Sequence, residues 1–303
     1  MDGIFDAALL DSIVRALIPV LLAALGGLIC ERAGVFQISL EGLMLVGAFA
    51  AVAGSFFSGS AMVGVLTAVV AGAVLSLILA FGTVTRHGDP IVLGVAINLL
   101  AVGLTSFLIT QLFGVRGTFQ DPGIVGLRRI ALPVLSELPL LGSSLFRLTI
   151  IGYVALLAVP LLWVLLFRTP TGLRLRGVGE RPQAAATLGV NPVRTKYLAV
   201  AASGVLAGLA GAQLSLGNVV QFSENMSSGR GWIAVVAVLL GRAHPVGVLG
   251  ASLLFATAEG IGFRLQGQGM ASQVTDALPF VVTLVALALA RKHFKRVLEL
   301  TAA

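Results

Sequence analysis

Charge is scarce in this chain of 303 residues, and its scarcity excludes the commonest kind of protein. Only 11 % of the residues are charged and 57 % are hydrophobic. Soluble domains carry about 25 % charged residues. With a mean hydropathy of +1.03, the sequence reads as lipid-embedded. Cysteine is limited to Cys30, inside an apolar run, so no intrachain disulfide can form. The three histidines, His87, His244 and His293, sit in separate loops and make no convergent metal set. No GxxxxGK followed by Ser or Thr is present, so no ATP phosphate cradle is available. No serine elbow marks a hydrolase either. The chain is therefore expected to be no enzyme in itself and to bind no metal or cofactor.

What charge there is has a pattern. The formal net charge is +7, but the basic residues cluster at the ends of apolar stretches and no aromatic residues interleave with them, which argues against a nucleic-acid partner. The run from Arg168 to Lys196 is the clearest case. Arg168, Arg174, Arg176, Arg181, Arg194 and Lys196 oppose only Glu180, which predicts a cytoplasmic loop. Asp2, Asp6 and Asp11 precede Arg15, the reverse of a cleaved signal.

Apolar runs long enough for membrane helices cover Ser12–Cys30, Leu43–Phe57, Ala61–Thr83, Ile91–Phe113, Leu148–Phe167, Tyr197–Leu216 and Val248–Phe263, with a last span near Asp276–Ala290. The expectation is an all-α polytopic membrane protein of about eight crossings, forming one transmembrane domain over 1–303. Trp232–Leu240 is too short to cross, and a helix that enters from outside, breaks and returns is one solution. Thr85–Pro90, TRHGDP, reads as a tight turn with a proline boundary. Gly114–Arg147 carries Arg116, Arg128, Arg129 and Arg147 against Asp121 and Glu137. Its charge favours the cytoplasm, but one span separates it from the Arg168–Lys196 loop, so chain parity places it outside. Interruptions near Glu31–Gly42 and Gly241–Gly247 fall early in each half and suggest related halves. Glycine is abundant, at 37 residues. Of Ala201, Ala202, Gly204, Ala207, Gly208 and Gly211, several share one helix face by their i, i+4 and i, i+7 spacing, suited to close helix contact.

Polar groups inside apolar runs are the candidates for function. Gln37, Ser39 and Glu41 either line a path through the protein or stabilise the interruption, with Glu41 capping a helix or pairing with Arg32. Asn98 and Thr105 are seven residues apart on one helix face, beside Ser106. Asn98 suits contact with a polar solute or a hydrogen bond between helices. Phe49 and Phe107 could offer stacking surfaces or plain packing. Asn218, Gln221, Ser223, Glu224 and Asn225 either form an external vestibule or, the favoured reading, stabilise the entry of the short helix, and Glu259 reads as a partner of Arg264.

Three segments carry a family resemblance: ERAGVFQISLEGLMLVGAF (Glu31–Phe49), TPTGLRLRGVGERPQAAATLGVNPVRTKYLAVAASGVLAGLAGA (Thr169–Ala212) and GRGWIAVVAVLLGRAHPVGVLGASLLF (Gly229–Phe255). They resemble the inner-membrane permeases of branched-chain amino acid, simple-sugar and nucleoside ABC importers, and NLLAVGLTSFL looks most like the nucleoside-type members. The resemblance implies a multi-pass protein of the bacterial inner membrane that imports nucleosides or related purines. Simple sugars are the runner-up, with branched-chain amino acids or an ion-coupled carrier less favoured. It also implies partners: an ATPase holding ATP and magnesium, a second and different permease, and an extracytoplasmic solute-binding lipoprotein. The loop 168–196 matches the ATPase-contacting segment, with Gly177, Glu180, Ala184, Ala185, Leu188, Gly189 and Asn191 at or near the contact. The path candidates are Gln37, Glu41, Phe49, Asn98, Thr105 and Phe107.

Overall fold

A computed structural model describes residues 7–131, 147–267 and 281–282. The apolar runs become helices α1 (Ala7–Arg32), α2 (Leu40–Ser58), α3 (Ala61–Ala80), α4 (Pro90–Phe113) and α5 (Ile150–Arg168). The basic loop holds α6 (Pro170–Glu180) and α7 (Pro182–Thr187), followed by α8 (Pro192–Ala212), α9 (Arg230–Leu240) and α10 (Pro245–Gly267). Wider π turns prolong α3 through Thr85 and α8 through Val219. Among the described residues, seven helices are long and apolar enough to cross a bilayer: α1 to α5, α8 and α10. The shortest have 19 residues, about 28 Å at 1.5 Å per residue. The span expected near Asp276–Ala290 lies outside the described residues except for Val281 and Val282.

Local chemistry sets the boundaries. At the predicted turn before α4, Asp89 Oδ1 accepts from the Ile91 and Val92 amides at 2.7 and 3.1 Å. Pro90 occupies the first helical position, where its missing N–H is not needed. Non-local ties show which ends lie together. Thr85 and Tyr197 share a 2.5 Å hydroxyl contact, and Phe167 stacks obliquely on His244 with ring centroids 5.1 Å apart. These gather one end of the bundle around the basic loop. At the other end Asp11 pairs with Arg129 at 3.1 Å, and Ser55 Oγ donates to the Val125 carbonyl. Two short antiparallel ladders lie there as well. β1 (Thr118–Phe119) pairs with β4 (Phe222–Ser223), and β2 (Arg129–Ala131) with β3 (Arg147–Thr149). The described parts of that loop, 114–131 and Arg147, thus sit at the end opposite the basic loop, as parity required.

The packing repeats itself in reverse. α1 packs on α10 as α8 packs on α3; α2 touches α8 as α9 touches α1; α2 pairs with α3 as α9 pairs with α10. α1 runs towards the basic end and α8 away from it, so the two sets are inverted. Such inversion is a common plan for transporters. It corrects one sequence expectation. The counterpart of the break after α1 is the stretch 220–229 after α8, and the Gly241–His244 turn is only a sharp reversal. A second correction concerns the short helix. α9 has 11 residues and starts deep in the bundle, ending at the basic end. The 23-residue α10 then makes a full crossing.

The small-residue face of α8 is where backbones meet. Gly204 and Gly208 lie against α3, and Gly211 against Met44 and Gly47 of α2. A Cβ on Gly47 would stand 2.7 Å from the Gly208 Cα. With no hydrophobic drive between helices in lipid, close backbone packing of this kind holds the bundle together.

Candidate functional site

The break between α1 and α2 starts with a glycine. Gly34 has φ +73°, the left-handed region that L side chains avoid. The Val35 amide reaches back to the Cys30 carbonyl at 2.9 Å, and the Gly34 amide to Glu31 at 3.0 Å. Those two bonds close the end of α1 as a Schellman motif. Residues 35–39 then run unwound through the interior, with the side chains of Gln37 and Ser39 buried. Gln37 Nε2 donates to Ser203 Oγ on α8, and Ser39 Oγ donates to Gln37 Oε1, both at 3.3 Å.

Glu41 occupies the first turn of α2 and is 7 % exposed. Its Oε1 accepts from the Gly229 amide at 2.8 Å, and its Oε2 from the Gly231 amide at 2.7 Å. One carboxylate therefore caps the N-terminus of α9, where unpaired N–H groups and the helix dipole favour negative charge. Gly231 has no room for a side chain, because its Cβ would overlap the Glu41 backbone. Glu41 thus caps a helix, α9, through both carboxylate oxygens. Arg32 turns elsewhere, donating to the Ala243 and Arg242 carbonyls at 2.7 and 3.4 Å.

Asn98 reaches from α4 to the same break. Its Oδ1 accepts from the Gly42 amide at 2.8 Å, and its Nδ2 donates to the Ile38 carbonyl at 3.1 Å. Gln37, Glu41 and Asn98 are thus brought together around residues 37–42. Thr105 is buried on the Asn98 face of α4, but its hydroxyl bonds back to Ala101 and Val102 of its own helix. Phe107 is 59 % exposed on another face and does not join the group. Phe49 is buried nearer the opposite end, edge-on to Phe222 and Phe113 with centroids 5.2 and 6.2 Å away. It also borders an apolar groove of about 710 Å³ between α2, α3 and α4.

Several features had no clear sequence signal. Phe113 stacks on Phe119 at 3.9 Å, extending the rings around Phe49. Glu259 pairs with Arg230, at 3.0 Å to Nε and 2.5 Å to the terminal nitrogen, in place of the expected Arg264. Thr149 Oγ1 donates to Gln213 Oε1 at 2.6 Å, and Gln213 Nε2 donates to Asn218 at 3.1 Å, lacing α5 to the π turn of α8. The polar cluster after α8 was visible, and part of it supports the outer ladder: Ser223 pairs with Thr118, and Glu224 accepts from the Gly117 amide.

At the basic end, α6 and α7 form a small platform. Glu180, Ala184, Leu188, Gly189 and Asn191 are exposed, Gly177 is half-buried, and Ala185 turns inward. Leu188 is 84 % exposed, the most exposed large apolar side chain among the described residues. The sharp turn beside it needs Gly189 at φ +81°. The platform is not detached from the bundle, because Gly179 lies backbone to backbone on Arg32 and Gly34. Among the described residues, no group of three His, Cys, Asp or Glu side chains is placed to hold a metal.

Known proteins resemble this chain over most of its length. The family model described as branched-chain amino acid transport system / permease component matches residues 9–287. A guanosine ABC transporter permease protein of Bacillus subtilis, NupQ, is 36 % identical over 89 % of this chain and 87 % of its own length. TsgC13 of Haloferax volcanii, provisionally named a glucose ABC transporter permease protein, is 38 % identical over 88 % of this chain and 80 % of its own. A nucleoside ABC transporter permease protein of Lactococcus lactis, NupC, is 35 % identical over 89 % and 88 %. A solved structure provisionally assigned as a metal-chelate type ABC transporter, in an inward-facing conformation, superposes with a TM-score of 0.53. It covers 92 % of this chain and 85 % of that one, and at 16 % identity it supports the fold alone. The chain belongs to the branched-chain amino acid transport system permease family and is a non-catalytic, multi-pass membrane subunit of an ABC importer for a small solute.

Proposed function

We propose that this chain is one of two paralogous permeases in an importer of nucleosides or related purines. A binding protein delivers solute to the end bearing the 114–147 loop. An ATPase, which holds ATP and magnesium, works on α6–α7 at the basic, cytoplasmic end. Transport then alternates between two packings of one core, and each partner must favour one of them.

The observation that carries the substrate class is the state of the buried charges. Glu41 is used in capping α9, and Arg230 and Glu259 neutralise each other. The buried polar groups around the first break are otherwise amides and hydroxyls: Gln37, Ser39, Asn98 and Ser203. An uncharged polar solute suits such a lining better than a zwitterionic amino acid, whose two charges would need partners on desolvation. The likeness to NupQ, a guanosine permease, and NupC, a nucleoside permease, supports the same choice.

A sugar importer is the second reading, favoured by the 38 % identity to TsgC13. Proteoliposomes containing the two permeases and the ATPase, supplied with the cognate binding protein, decide between them. Guanosine or another nucleoside should stimulate ATP hydrolysis and accumulate inside. Stimulation by glucose and by no nucleoside would reverse the assignment.

A further inference from the structure

One contact between α6 and the start of the first break is unusually bare. A Cβ on Gly179 would overlap the Arg32 carbonyl, and one on Gly34 would stand 3.0 Å from the Gly179 carbonyl oxygen. No side chain intervenes to absorb a shift by changing rotamer. A close-packed contact of this kind transmits displacement. From Gly34 the chain runs through the break to Glu41, whose carboxylate holds the first amides of α9. α9 returns to the basic end, where Arg32 grips the Ala243 and Arg242 carbonyls. Main chain and these ties close a ring. Arg230, the first residue of α9, is also tied to Glu259 of α10.

We propose that movement of α6 enters the bundle at the Gly34–Gly179 contact and is handed to α9 by Glu41, which is a positioning residue and not a solute ligand. The inference rests on the reading of α6–α7 as the ATPase face. Chemistry favours Glu at position 41. An ionised carboxylate offers an acceptor to each of two N–H groups and matches the positive end of α9. A glutamine of the same shape would face one of those N–H groups with its own NH₂, losing one bond and opposing donor to donor.

The test uses the reconstituted complex with Glu41→Gln and Gly179→Ala, alone and together. Solute moved per ATP hydrolysed should fall at least tenfold in each single variant, with the KM for solute within twofold of the parent. The double variant should be no worse than the poorer single, because both act on one route. A changed KM or solute preference in Glu41→Gln, native coupling in either assembled single variant, or losses that multiply in the double would overturn the proposal. Hydrogen exchange on the unsubstituted complex covers the case in which Gly179→Ala fails to assemble. Trapping the ATPase with ATP should alter protection of peptides 33–41 and 229–240 together, and a change in one alone would refute the route. Leu188→Lys separates the two readings. If it leaves ATPase binding intact, the assignment of the ATPase face fails. If it abolishes ATPase binding while the Glu41 and Gly179 variants stay coupled, only the route fails.

Discussion

Asn98→Leu is the sharpest way to ask what holds the first break in shape. The side chain satisfies two buried main-chain groups, the Gly42 amide at 2.8 Å and the Ile38 carbonyl at 3.1 Å. Leucine can replace neither bond. A buried donor or acceptor left unpaired costs about 1–3 kcal/mol, so the pair should cost about 2–6 kcal/mol. Extra apolar contact from leucine offsets part of this, but space is limited. A Cβ on Gly42 would already stand 2.9 Å from the Ala101 Cβ and 3.0 Å from the Asn98 Cα. A net loss of at least about 2 kcal/mol is expected, with α2 starting less firmly and uptake falling with it. Thermal midpoints of the detergent-solubilised complex, read by the loss of its monodisperse chromatographic peak, measure the first effect; uptake in proteoliposomes measures the second. Leu99→Val is the control, because that side chain is exposed on the same helix and should shift neither reading. An unchanged midpoint with native uptake for Asn98→Leu would refute the clamp. A raised KM with an unchanged midpoint would make Asn98 a solute contact instead.

Three further outcomes are expected. Glu259→Ala strands Arg230 in a largely buried position and should destabilise the complex by about 3–5 kcal/mol, whereas Arg230→Met with Glu259→Leu should recover most of it; equal midpoints for the single and double variants would count against a buried pair. Glu180→Lys with Leu188→Lys, both on the exposed platform, should abolish co-purification of the ATPase and leave the permease monodisperse; full retention of the ATPase would show that another surface binds it. Cys30 is fully buried, with its Sγ 3.5 Å from the Ala199 carbonyl, so maleimide should label it only after denaturation, and stoichiometric labelling of the native complex within minutes would place it elsewhere.

Composition and local pattern alone determined a great deal. The scarcity of charge required a membrane protein, and the apolar runs placed seven of the expected crossings close to where the helices lie. TRHGDP announced the start of α4, because Asp and Pro at a helix entry act within four residues. The small-residue face of α8 was legible from spacing, since helical period fixes which residues share a side. Glu41 and Asn98 stood out because a polar group in an apolar run must find a partner.

Which partner each one finds was decided only by the tertiary structure. The Glu41 carboxylate meets amides nearly two hundred residues along the chain, and Glu259 takes Arg230 rather than the neighbouring Arg264. Phe49 and Phe107 look alike in sequence, yet one is buried among rings and the other is exposed. Local sequence sets what a side chain needs. The depth and direction at which distant helices pass one another set what lies within reach, and that register comes from packing over the whole bundle. The inverted pairing that joins the starts of α2 and α9 is a product of that packing, and no short stretch of sequence contains it.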